Sequence, residues 1–129
     1  MSNFLRLLTV EIFNSSSFDV VIEYGILTGG RWKCAPVQGA VIQVNQKQSY
    51  INEAEGILVS LGGQILLAPV NGGAISPSWS WPAGSPVYGG ATNSATNLAV
   101  ASQVIDGQTN SPTMQIVVMD AVAIFVGKE

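Results

Sequence analysis

Apolar and polar residues alternate along most of this chain, in short runs broken by turn residues. Over Leu5–Phe13, Leu8, Val10 and Ile12 fall on one side of an extended segment and Leu7, Thr9 and Glu11 on the other. A period of two marks a half-buried strand. Asn14-Ser15-Ser16-Ser17 is a turn cluster whose side chains can bond their own backbone, and Val20–Tyr24 reads as the returning hairpin partner. Gly29-Gly30 separates this unit from Arg31–Ala35, which Pro36 ends. Ala40–Val44 and Gln48–Ile51 flank Asn45-Gln46-Lys47 as a second hairpin. Ile57–Leu61 and Gln64–Ala68 flank Gly62-Gly63, the clearest hairpin signal in the chain, because primed turns need positive φ.

Further along, Asn71-Gly72-Gly73 predicts a turn, and Trp79 and Trp81 alternate with serines so that both rings share one strand face. Pro82–Ala95, small and polar, reads as loop. Leu98–Ile105 alternates as a strand does, yet its alanines after Ser94 or Asn97 also suit a short helix. Asp106-Gly107 is a turn, and Met114–Val126 is a long β-rich run bent near Asp120. No repeat is visible, which argues against a propeller or trefoil. The pattern predicts an all-β fold, a single antiparallel β-sandwich domain over residues 1–129 with about nine or ten short strands.

Charge changes the picture. From Gly56 to Ile105 there is no charged residue, a run of fifty. At the ordinary charge content of about 25%, such a run would arise roughly less than once in a million trials. Gly, Pro, Ser and Asn interrupt it throughout, so it is no membrane-spanning helix. The chain is 47% hydrophobic with mean hydropathy +0.36, and its apolar groups need an oligomer interface, a ligand surface or a membrane contact. The five cations, Arg6, Arg31, Lys33, Lys47 and Lys128, are too few and scattered to follow a phosphate backbone, which speaks against nucleic acid. The absence of histidine removes His-based general bases, nucleophile systems and zinc ligation. One cysteine, Cys34, allows no intrachain disulfide and reads as a buried small hydrophobe. The opening residues carry no signal-peptide pattern. The expectation is therefore a cytoplasmic protein, or one released without a classical signal peptide, acting at a membrane or cell surface.

The aromatic segment from Ser78 to Tyr88, with Trp79, Trp81 and Tyr88, is the leading candidate site, since such rings stack on sugars or sit at a headgroup boundary. One Trp can equally fill the core. Gly30-Arg31-Trp32-Lys33 places Arg31 and Lys33 on one strand face, where they could share a phosphate or sulfate, with Trp32 on the other. Asn93 and Asn97, with Ser94 and Thr96, could bind sugar hydroxyls or form a turn. Glu53 and Glu55 are two carboxylates as a glycosidase needs, but nothing supports them, and they read as a solvated acidic turn. No metal or cofactor is implied, and no acid–base pair argues for an enzyme.

Val10-Glu11-Ile12-Phe13-Asn14-Ser15-Ser16-Ser17-Phe18-Asp19-Val20-Val21-Ile22 resembles the opening strand–turn–strand of the aegerolysin family. Gly30-Arg31-Trp32-Lys33 resembles its Gly-Lys-Trp segment, and Glu53-Ala54-Glu55-Gly56 with Gly62 and Ile65-Leu66-Leu67 its mid-chain feature. Trp79-Ser80-Trp81-Pro82 with Thr92-Asn93 is similar to its aromatic-Pro-Trp…Thr-Asn loop. The chain departs from the family in its uncharged middle, its altered aromatic order, its C-terminal half, and the lack of a basic residue near that loop. The resemblance implies a small β-sandwich recognising membrane lipid such as sphingolipid–sterol patches, in some members as a cytolysin with a second pore-forming protein. Trp32, Trp79, Trp81 and Tyr88 would be the lipid contacts. The expected function is thus a non-enzymatic module binding a membrane lipid or headgroup. The alternatives are a lectin binding a glycan, or a self-assembling subunit, and a homo-oligomer is expected.

Overall fold

The computed structural model describes residues 5–56 and 58–121. They form ten strands: β1 (Leu5–Asn14), β2 (Val20–Gly29), β3 (Arg31–Cys34), β4 (Val41–Ile42), β5 (Lys47–Glu55), β6 (Leu61–Pro69), β7 (Ile75–Trp81), β8 (Tyr88–Asn93), β9 (Leu98–Ile105) and β10 (Thr113–Asp120). No helix occurs among the described residues. Two five-stranded sheets, ordered β3-β5-β1-β10-β9 and β4-β2-β6-β7-β8, make the expected all-β sandwich. One pairing departs from the antiparallel expectation: β1 and β10 run parallel, with Ile12 opposite Ile116.

The alternation of β1 places Leu8, Val10 and Ile12 inward. They join Met114, Ile116 and Val118 of β10 and face Ile22, Ile65, Leu67 and Ile75 from the second sheet. Leu98–Ile105 resolves as a strand rather than a helix, because it completes the antiparallel ladder with β10. The Met114–Val126 run ends as a strand at Asp120. Its residues 122–126 lie outside the described residues, as does Ile57.

Three expected hairpins are not formed. β1 and β2 lie in different sheets. The buried Asn14 amide donates to the carbonyls of Phe18 (2.8 Å) and Ile42 (3.0 Å), and its Oδ1 accepts from the Ser16 hydroxyl (2.6 Å) and amide (3.1 Å). That network turns the chain from one sheet across to the other. β4 and β5 are likewise split, and the Asn45 and Gln46 backbone bonds to Asn14 instead.

Gly62-Gly63 makes no turn: β6 runs straight through it, pairing with β2 and β7. The glycines are there for space. A Cβ on Gly63 would lie 2.6 Å from the Ile26 carbonyl oxygen and 2.7 Å from the Trp79 ring. The expected loop Pro82–Ala95 contains a strand, β8, paired with β7. Gly89-Gly90-Ala91 has too little side chain for a pattern to reveal it.

Tyr50, on β5 and buried in the core, has its phenol pushed up to about 12, first by burial and then by the nearby Cys34. The folded state thus holds the neutral phenol where the unfolded chain, at its ordinary value of 10, would ionise. This contribution to stability is intact below pH 10 and lost as pH rises toward 12. Absorbance at 295 nm should show a tyrosine step near pH 12 that Tyr50→Phe removes. A Tyr50→Phe titration identical to wild type would contradict the placement.

Candidate functional site

The sequence candidates do not converge on one place. Trp79, on β7, is 4% exposed and points into the sandwich. Its indole N–H donates to Asn52 Oδ1 at 3.0 Å, and Trp32 meets its ring edge-on, with centroids 6.0 Å apart at 66°. Asn52 is itself buried on β5. Its amide donates to the Gly29 carbonyl (3.1 Å) and the Arg31 carbonyl (3.2 Å), and its oxygen also accepts from the Gly62 amide (3.1 Å). All its hydrogen-bonding capacity is used, three of the four bonds crossing to the second sheet and the one to Arg31 staying within its own. Trp79 is therefore structural, and the expectation that its ring meets a ligand at the surface gives way to this inward placement.

Arg31 is committed to Glu53, Nε to Oε2 at 2.9 Å, rather than shared with Lys33 around an anion. Lys33 lies exposed at an irregularity in the β3–β5 pairing. Glu53 and Glu55 sit on β5 and form no acidic turn. Cys34 is exposed, not buried, because β3 is a short edge strand. Asn93 closes the β8–β9 connection, donating to the Leu98 carbonyl and accepting from the Ala95 amide, both at 2.8 Å. Tyr88 is 62% exposed. Register places it on the outer face of its sheet beside Ser80, with Ser78 and Ser76 along the neighbouring strand.

Only Trp81 borders a sizeable cleft. At one end of the sandwich, where β1 and β10 begin and β5, β7 and β9 end, residues 58–60, 82–87 and 106–112 surround a space of about 580 Å³. Its lining includes Arg6, Trp81, Leu58, Ser85, Gln108 and Asn110, and no carboxylate among the described residues. Leu58 is 85% exposed on the rim, and Leu5, Val59 and Ile105 are also exposed at this end. Arg6 is the residue that sequence reasoning missed as a site. It is only 5% exposed, and its guanidinium carbon lies 4.8 Å from the centre of the Trp81 ring. Burial holds it below its ordinary pKa, although a guanidinium keeps its charge at neutral pH. The signal was present: Arg6 continues the inward parity of Leu8, Val10 and Ile12.

The fold has counterparts among solved structures. IP-1A from Alcaligenes faecalis matches with a TM-score of 0.69 at 14% identity, over 93% of this chain and 94% of that one. The lipid binding protein Nakanori matches with a TM-score of 0.70 at 11% identity, over 88% of this chain and 70% of its own. A lectin from Xerocomus chrysenteron matches with a TM-score of 0.58 at 7% identity, over 88% of this chain and 99% of that one. No protein-family model matches the chain, and no curated protein matches it by sequence. At these identities the likeness is one of fold, and at that level the resemblance to the aegerolysin-type sandwich holds.

Proposed function

We propose that this chain is a non-enzymatic recognition module that binds membrane lipid, and that it meets the membrane with the cleft-bearing end of the sandwich. The observation that carries the reading is the company Leu58 keeps. A single exposed leucine is ordinary. Here it stands with Leu5, Val59 and Ile105 around a cleft free of carboxylates among the described residues, within a stretch of fifty uncharged residues. Apolar rim side chains can enter the headgroup region, each contributing roughly 1.5–3 kcal/mol, while the exposed Glu55, opposite Leu5, and Asp106, beside Ile105, stay at the water boundary. Nakanori, described as a lipid binding protein, shares the fold and supports the reading. The mechanism differs from aromatic insertion, since Trp79 and Trp81 are inside.

Co-sedimentation with liposomes tests it, comparing phosphatidylcholine with sphingolipid–sterol vesicles. The wild type is expected to pellet, and Leu58→Glu to weaken partitioning about tenfold or more. Val70→Glu, at the opposite end, is expected to change nothing. No pelleting on any vesicle overturns the reading; equal losses in both variants overturn the choice of end. A lectin is the second reading, favoured by the serine-lined outer face around Tyr88 and by the lectin among the similar folds. Soluble sugar that abolishes binding, together with a loss in Tyr88→Ala, would select it.

A further inference from the structure

The buried cation at this end has no counter-charge among the described residues. Arg6 Nε and Nη2 find no hydrogen-bond partner among the described residues, although both atoms are buried. A buried, unpaired guanidinium is costly, and native structures rarely tolerate one without a reason. Trp81 covers one face of the guanidinium by a cation–π contact, which eases the cost. That contact uses the π face of the group. The Nε–H and Nη2–H donors lie in its plane and meet no acceptor among the described residues.

Arg6 lines the cleft. Its volume of about 580 Å³ lies inside the range of small-ligand sites, roughly 300–1,000 Å³. The side chains of Ser85, Gln108 and Asn110 also line it, and none is engaged in a hydrogen bond to another described residue. No carboxylate among the described residues lines the space to compete for the cation. The loop carrying Asn110 is tied to β1 directly beside Arg6, since the Leu7 amide donates to the Asn110 carbonyl at 2.9 Å. Rim and cation are thereby held together.

We propose that the Arg6–Trp81 cleft binds a phosphate group, with the Arg6 fork as its charged anchor and Ser85, Gln108 and Asn110 as neutral donors around it. A planar fork presents parallel N–H groups to two oxygens of a tetrahedral anion, and the anion also supplies the charge that a sugar or a sterol lacks. The phosphate can belong to a lipid headgroup or to a soluble compound. The first case rests on the membrane reading above; the second does not.

Two arms separate these sources. In the first, wild type, Arg6→Lys and Arg6→Met are titrated with sodium phosphate against sodium chloride at equal ionic strength, followed by tryptophan fluorescence and the Arg6 Nε–H resonance. The expected result is a saturable, phosphate-specific change in the wild type. It should weaken roughly tenfold in Arg6→Lys, which keeps the charge without the fork, and vanish in Arg6→Met. In the second arm, wild type and Arg6→Met are pelleted with phosphatidylcholine vesicles with and without phosphatidic acid, in the presence and absence of free phosphate.

Pelleting that needs Arg6 and is competed by phosphate identifies the headgroup as the source. A phosphate response with no pelleting leaves the site standing for a soluble phosphate compound and removes the membrane reading. Pelleting equal in both proteins, with no phosphate response, keeps the membrane reading and overturns the site. A wild type unresponsive to phosphate, or a response that survives in Arg6→Met, overturns the site whatever the vesicles do. The wild-type titration decides even if Arg6→Met fails to fold.

Discussion

Replacing Asn52 with alanine is expected to cost about 3–5 kcal/mol of stability. The substitution deletes four hydrogen bonds at once. The Trp79 indole and the Gly62 amide lose their acceptor, and the carbonyls of Gly29 and Arg31 lose a donor. Each buried polar group left without a partner costs roughly 1–3 kcal/mol, and water that enters the vacated space offsets part of the total. For a domain of this size the melting temperature should fall by about 10–20 °C. Urea unfolding followed by tryptophan fluorescence measures it directly, since Trp79 reports on the site. A loss below about 1 kcal/mol would mean that the two sheets do not depend on this link.

The second large effect is expected at Gly63. Alanine there should destabilise by about 2–3 kcal/mol, because its methyl group meets atoms that cannot easily move. The Ile26 carbonyl oxygen belongs to the paired strand, and the Trp79 ring is pinned by Asn52 and Trp32. Gly90 supplies the control. It is also in a strand, but the nearest atom to an added Cβ is the Ser102 hydroxyl at 3.9 Å. Gly90→Ala should be neutral or slightly stabilising, through the smaller entropy of the unfolded chain. Equal stabilities for the two variants would contradict the straight course of β6 past Trp79.

These two sites show where the sequence could be read and where it could not. Strand positions and inward faces were legible because burial acts locally, every second residue, as in Leu8, Val10 and Ile12. Strand partners were not. A glycine pair between apolar runs has two physical causes, positive φ or close approach, and at Gly62-Gly63 the second operates. The serine turn after Asn14 looks like a hairpin loop, yet the Asn14 side chain reaches Ile42, a contact 28 residues away. Local pattern cannot distinguish a turn that returns the chain to its own sheet from one that sends it across the core.

The site was half legible. The aromatic neighbourhood points to Trp81, but Arg6 reads along the sequence only as one of five scattered cations. Extending the inward alternation by one step would have placed a charge in the core, and a buried charge asks for a partner. Tyr88 and Lys33 sit exposed where a strand pattern allows. The gathering of Arg6, Leu58, Trp81 and Asn110 depends on loops from three distant parts of the chain, and no spacing along the sequence encodes it.

The parallel union of β1 and β10 has a consequence for how the molecule is made. Their partners, such as Thr9 and Thr113, are about a hundred residues apart. At a synthesis rate of roughly 5–20 residues per second, β1 emerges about 5–20 s before β10 exists to flank it. During that interval one long edge of a strongly apolar strand can pair only with strangers. Acquisition of the native sheet is thereby deferred until β10 has been synthesised. A nascent chain stalled before Thr113 should be far more dependent on chaperones than one released after Asp120.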